Sequence, residues 1–315
     1  MDLHKVLLFL NECRIRLEPA VLVTVCAVEG SSMRNPGTIM GVAADGSFEG
    51  SLSGGCIENA VVAEALDTLK AGQPRVVRFG AGSPYLDIKL PCGGGLDLHF
   101  CPLDHDKDLP GLALGRIRGR APFSIRLGPY GEEFVEGWHA PQFDVSEGAG
   151  VFGHWPAPQL QIIGHGAGVE ALARFGRLMG CSTRVLTPDE RIKASLEKDL
   201  IGTEILKRRT QTDVMEGDPW SAFVFLFHDH DWEIELIERA LALPHFYLGA
   251  MGGRKAHAMR CEALLARGVE QEALDAIHAP IGVFHSSRDP HTLALSTLAE
   301  VIRAYQDTDF GTALG

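Results

Sequence analysis

Apolar positions along the first hundred residues alternate between helical spacing and short continuous runs. Residues 2–17 carry apolar side chains at helical spacing and stop before Pro19, which predicts an amphipathic helix. The following "AVLVTVCAV" is short, β-branched and closed by Glu29-Gly30, the profile of a buried strand. "GSSMRNPG" has turn chemistry, and residues 38–55 read as a hairpin turning at Asp45-Gly46. "IENAVVAEALDTLKAG" returns to helical spacing and ends on Gly72, a helix stop. "RVVRFG" and "GLDLHFCPL" predict two further strands. This order gives an α+β unit over residues 1–103.

The pattern loosens over residues 104–158. They are rich in proline, glycine and charge, with short strand-like pieces such as "FSIRLG", and read as a connecting segment with a small β element. From residue 159 strands and helices alternate. "QLQIIG", "STRVLT", "SAFVFLF" and "HFYLGA" are strand-like. "AGVEALARFGRLMG", "EIELIERALAL", "KAHAMRCEALLARG" and "TLALSTLAEVIRAYQ" are helical. That alternation predicts a Rossmann-like, doubly wound parallel sheet over residues 159–315, so the fold class is α/β with an α+β unit in front.

Composition narrows the function classes. At 315 residues the chain is long enough for two domains. A formal net charge of −12 argues against nucleic acid and anionic lipid as partners. No run approaches the roughly 20 apolar residues that span a bilayer. The apolar start is followed by Glu12, Arg14 and Arg16 and not by a small-residue cleavage site, so it predicts a helix and not a signal peptide. Seven cysteines at irregular spacing, with no C-x-x-C pair, predict free thiols in a reducing cytoplasm.

Two of those thiols sit in glycine-rich loops. Gly54-Gly55-Cys56 stands where a loop enters a helix, with Ser51 and Ser53 just before it. The first amides of a helix lack intrahelical partners, and its dipole favours an anion and lowers a thiol pKa there. Cys92-Gly93-Gly94 offers a second thiol beside permissive backbone. The alternative is that both are small buried residues at tight turns.

The stretches "GSSMRNPGTIM", "DGSFEGSLSGGCIENAVVAEA" and "LPCGGGLDLHF" resemble the amino-terminal signature of the XdhC/CoxI family, the xanthine dehydrogenase accessory factors. "HDHD", "YLGAMGGRKAHAMRCEALLARGV" and "HAPIG" resemble that family's carboxy-terminal half. The resemblance implies a chaperone that binds the molybdenum cofactor, more than a stand-alone enzyme. It also implies support of the cofactor's sulfuration with a cysteine desulfurase, and insertion into an apo molybdenum hydroxylase of the xanthine dehydrogenase type. Ser32, Arg34, Ser53, Gly54, Gly55, Gly93 and Gly94 are then candidate cofactor-binding residues. Cys56 and Cys92 are candidate molybdenum contacts, expected to approach one site. A homodimer is the default assembly.

The second half carries its own candidates. "IIGHGAGVEALA" resembles a dinucleotide fingerprint, with Gly164 and Gly166 in the first two glycine positions, Gly168 one place early and Val169 in the third. Thr187 stands where an acid normally takes the ribose, and Asp189 follows two residues later. His228, Asp229 and His230 follow an apolar strand and are expected at the ligand crevice of the sheet, as a possible metal pair or as lining. Gly252, Gly253 and Arg254, with Lys255, form a second glycine-rich entry into a helix and a candidate anion site. These features sustain an alternative function, an NAD(P)- or flavin-dependent oxidoreductase. A third is a protein–protein adaptor that needs neither thiol.

Overall fold

The structure, a computed structural model, describes residues 2–30, 34–55, 57–83, 93–284 and 289–313. The chain divides into two compact units, Met1–Pro156 and Ala157–Gly315. The first contains α1 (Asp2–Ile15), β1 (Ala20–Glu29), β2 (Ile39–Ala43), β3 (Phe48–Glu49), α2 (Glu58–Ala71), β4 (Arg75–Gly80), β5 (Gly95–Pro102), α3 (Leu109–Arg118), β6 (Phe123–Gly128), β7 (Gly131–Glu136), β8 (Gln142–Asp144) and β9 (Ala149–His154).

Five of these strands form an antiparallel sheet in the order β3-β2-β1-β5-β4. Alternation along β1 serves two cores. Val21, Val23 and Val25 pack with Leu52, Ile57, Val61 and Ala65 beneath α2. Ala20, Leu22 and Cys26 pack with Leu7 and Leu10 of α1. The register passes from Val25↔Leu98 to Ala27↔Asp97, so Cys26 is the extra residue of a β-bulge. The bulge shifts parity by one and carries Val28 to the α2 side, where it packs on that core.

The same register decides where the loops leave. Thr24 pairs with Ile39, Glu29 with Gly95, Gly80 with Gly95, and Gly41 with Glu49. The chain therefore leaves β1 and β3, and passes from β4 to β5, at one end of the sheet. Both glycine-rich loops singled out in the sequence belong to that end.

Residues 104–156, expected as a connecting segment with a small β element, belong to the first compact unit. They form α3 and a four-stranded antiparallel sheet, β7-β6-β9-β8. Phe123, Ile125, Leu127 and Phe152 join the core beneath α1. These strands are short and carry charge on their outer face, as Arg126 and Glu133 show, so their apolar alternation is faint in the sequence.

The second unit contains β10 (Gln159–Gly164), α4 (Ala167–Leu178), β11 (Ser182–Thr187), α5 (Glu190–Glu197), β12 (Gly202–Ile205), β13 (Ser221–Leu226), a 3-10 turn (His230–Trp232), α6 (Ile234–Leu241), β14 (Tyr247–Ala250), α7 (Arg254–Leu265), α8 (Gln271–Asp275), α9 (Pro290–Asp307) and α10 (Phe310–Ala313). Its sheet is parallel throughout, in the order β12-β11-β10-β13-β14. The order reverses between β10 and β13, which makes the gap beyond their carboxyl ends the switch point of a doubly wound fold.

Helices α4, α5 and α9 cover one face through Val169, Leu172, Ile192, Leu196 and Leu298. Leu236, Ile237, Leu264 and Leu274, from α6, α7 and α8, cover the other. Residues 206–220, which connect β12 to β13, form turns and bury Leu206 and Met215 on that second face. Among the described residues no helix is long and apolar enough to cross a membrane.

Candidate functional site

The loop ahead of α2 closes on a single side chain. Glu58, the first residue of the helix, is 7% exposed. Its Oε1 accepts from the Ser51 hydroxyl at 2.9 Å and from the amides of Leu52 and Ser53 at 3.1 and 3.0 Å. Its Oε2 accepts from the Ser53 hydroxyl at 2.7 Å and from the amides of Gly55 and Ile57 at 2.9 and 3.2 Å. Gly54 and Gly55 make the turn with φ of 77° and 108°, which only glycine adopts without strain. Burial alone would push the Glu58 carboxyl up. The Ser53, Ser51 and Gly55 hydrogen bonds outweigh it and hold the group down at about 2.

The sequence offers these amides to an external anion, but the folded loop gives the Leu52, Ser53, Gly55 and Ile57 amides to its own carboxylate. The Gly54 amide donates to the Ser51 hydroxyl at 3.1 Å.

The neighbouring loop is tied at the same end of the sheet. Arg78 of β4 donates to Asp97 at 2.9 Å and to the Ala81 carbonyl at 2.7 Å, and pairs with Glu29. The Gly94 carbonyl accepts from the Ala81 amide at 2.9 Å. Gly93 is exposed with φ 70°, and Arg34 is half-buried. Ser32, Cys56 and Cys92 lie outside the described residues.

In the second unit, Gly164 ends β10 against the end of β13. A side chain there would meet the Leu226 carbonyl oxygen at 2.4 Å, so the close approach of the strands requires glycine. Gly166 caps α4 with φ 92°. Val169, in the third fingerprint position, is fully buried in the core, and a Cβ at Gly168 would only reach ordinary contact with Leu293. The missing third glycine is thus absorbed by packing.

His165 lies between the strand ends. Its ring centroid is 5.5 Å from Phe227 and 5.8 Å from His228. His228 and Asp229 are exposed and follow β13. Asp229 accepts the Asp231 amide at 3.1 Å and opens the 3-10 turn that begins at His230. Among the described residues no group of three or more His, Cys, Asp or Glu side chains could hold a metal ion.

No carboxylate stands at the expected ribose position. Thr187 is fully buried and its hydroxyl accepts the Asp189 amide at 3.2 Å. Asp189 caps α5 through the Arg191 amide at 2.9 Å and pairs with the Arg191 guanidinium at 3.1 Å. That hydrogen bond holds its carboxyl below the usual range.

Gly252 and Gly253 connect β14 to α7, and Arg254 and Lys255 are exposed at its start. Beneath this turn lies Arg260, 1% exposed, which donates to the Met251 carbonyl at 2.8 Å and to Glu233 at 2.9 Å. On α9, Glu300 accepts from the Tyr247 hydroxyl at 2.7 Å and the Gly282 amide at 2.6 Å, with His278 Nδ1 at 3.4 Å. The "HAPIG" stretch is thereby fastened to β14, and His278 also bridges Gly249.

Comparisons with known proteins match this architecture. A family model described as "XdhC and CoxI family" matches residues 14–80, and one described as "XdhC Rossmann domain" matches residues 160–301. The chain is 32% identical to the molybdenum cofactor insertion chaperone PaoD of Escherichia coli (strain K12), over 98% of this chain and 91% of that protein. This chain belongs to the XdhC and CoxI family.

The uncharacterized Escherichia coli protein YqeB is 20% identical over 93% of this chain and 45% of its own length. A crystal structure of a xanthine dehydrogenase from Bacillus halodurans superposes with a TM-score of 0.76 at 21% identity. It covers 98% of this chain and 97% of that one, and shows the shared fold. The XdhC and CoxI match spans β1 to β4 and contains Glu58. The Rossmann match spans most of the second unit and contains Arg260 and Glu300.

Three of these residues are inconspicuous in the sequence. Glu58 looks like an ordinary first-turn acid. The Arg260–Glu233 and Glu300–Tyr247 contacts join positions 27 and 53 residues apart, beyond the reach of any local pattern.

Proposed function

We propose that this protein binds the molybdenum cofactor and inserts it into an apo molybdenum hydroxylase. The observation that carries this reading is the 32% identity, over nearly all of both chains, to a protein named as a molybdenum cofactor insertion chaperone. The cofactor is the cargo here, anionic, with a phosphate and a metal that favours soft ligands.

The donor set suits such a cargo. Gly166 and Gly253 open twelve-residue helices with nothing within 4 Å of where a side chain would begin. Arg254 is exposed at the second of these. Helix amino termini with room over the backbone favour anionic groups. Thiolates at Cys56 and Cys92 would supply soft ligands. We further propose that the client is of the xanthine dehydrogenase type, that a cysteine desulfurase supplies sulfur while the cofactor is held, and that the chaperone works as a homodimer.

The test is direct. Protein purified anaerobically from cells that make molybdopterin is oxidised, and the fluorescent pterin derivative is quantified. Stoichiometric pterin is the expected result; its absence sinks the proposal. Reconstitution of an apo hydroxylase with Cys56→Ser and Cys92→Ser then separates a cofactor carrier, which loses delivery, from an adaptor, which does not.

A further inference from the structure

We propose that Glu58 is the resident anion of the glycine-rich loop, a positioning residue that fills the place an anionic ligand would take and fixes residues 51–55 and Ile57 as a preformed mount.

Successive amides around glycines of positive φ form a concavity that binds anions. Here the Leu52, Ser53, Gly55 and Ile57 amides and the Ser51 and Ser53 hydroxyls all converge on the two oxygens of one carboxylate. That carboxylate is 7% exposed and belongs to the adjoining helix. Because it is tethered to the loop by the chain itself, it occupies these donors without the concentration dependence of a free anion. An entering phosphate would also have to strand a buried carboxylate without donors. The loop therefore contributes fixed geometry to cofactor binding, and the cargo's anionic parts are held by other groups.

The mount is anchored on both sides. Leu52 and Ile57 are buried in the same core as Val25, Phe79 and Leu96, which lie at the end of the sheet where the second glycine loop returns. Glu58 itself starts α2, whose Val61 and Ala65 complete that core. Helix and loop thus meet at one carboxylate, and Leu52 and Ile57 tie them to the sheet.

The inference rests on the proposed cofactor-binding role, and its test keeps the two apart. Amide exchange of the loop is measured in the full chain for wild type, Glu58→Ala and Glu58→Gln, with sodium formate or with sodium chloride at equal ionic strength. In Glu58→Ala the loop amides are expected to exchange about tenfold faster or more while β1 and β5 keep their protection. Formate is expected to restore protection, and chloride is not. Retained pterin is expected to fall and recover in parallel.

Unchanged loop exchange overturns the inference, as does loosening that formate does not reverse, since a packing role alone gives no anion rescue. Unchanged pterin in a loosened loop also overturns it. If Glu58→Ala fails to fold, Glu58→Gln decides. It fills the site without a second acceptor oxygen, so faster loop exchange without formate rescue supports the inference, and wild-type exchange overturns it. Absence of pterin from the wild type would defeat the proposed function, and the exchange and formate measurements would still decide the role of Glu58.

Discussion

The Arg260 guanidinium lies against the Glu233 carboxylate at 2.8 Å, with both side chains fully out of solvent. It also holds the Met251 carbonyl, and so supports the Gly252-Gly253 turn from below. A buried pair that loses one partner leaves an uncompensated charge. Arg260→Leu is therefore expected to destabilise the protein by about 3–5 kcal/mol in urea unfolding. The double variant Arg260→Leu/Glu233→Leu should recover a large part of that loss. A double variant no more stable than the single one would contradict this account.

Glu300 gathers three partners, Tyr247 of β14 and His278 and Gly282 of the stretch that follows α8. Burial pushes its carboxyl up, and hydrogen bonds from His278, Tyr247 and Gly282 outweigh that and lower it. Glu300→Ala strands the Tyr247 hydroxyl and the Gly282 amide, and is expected to destabilise the fold by about 3 kcal/mol. Glu300→Gln keeps one acceptor oxygen and should lose less. Equal melting temperatures for the two variants would count against the role assigned to the oxygen that accepts from Tyr247 and Gly282.

His99 sets an acid limit on stability. It is 1% exposed on β5, and burial, opposed by a hydrogen bond with the Gly128 backbone, depresses it to about 4. The unfolded chain takes up this proton near pH 6.5 and the folded chain only near pH 4, so stability present above pH 6.5 is lost progressively as pH falls through that window. The loss from this one group is at most about 3 kcal/mol. His99→Gln should flatten the acid limb of a stability–pH curve between those values. An unchanged slope would show that other groups govern it.

The Rossmann sheet should not select a nicotinamide dinucleotide. Thr187 is buried at the ribose position and Asp189 is spent on Arg191 and the α5 cap. Calorimetry with NAD(H) and NADP(H) is expected to show no micromolar binding. Micromolar affinity together with hydride turnover would restore the oxidoreductase alternative.

Long, periodic segments were legible in the sequence, and contacts between distant side chains were not. β1, α2, β10 and α9 announce themselves by apolar spacing, and the alternation from residue 159 onward suffices for a parallel sheet. α5 and β12 escape because they are short and polar. The small β element expected in residues 104–158 is present, with "FSIRLG" as β6, but its four-stranded extent escapes because glycines and charges interrupt its strands. "SGGCIE" is conspicuous for its glycines and thiol, yet the residue that organises the described part of that loop is the glutamate at its end. Its inward turn leaves no trace in composition or period, since the same glutamate pointing outward would read identically.

The turns of residues 206–220 give the second unit an uneven roof. One face of the sheet is sealed by α4, α5 and α9. The other depends in part on a helix-free strap whose buried anchors include Leu206 and Met215. Its backbone bonds, such as Gln211 to Arg208 and Met215 to Thr212, close single turns and do not propagate. Such a strap can lift without dismantling a cooperative element, so proteases and deuterium should enter the parallel sheet here first.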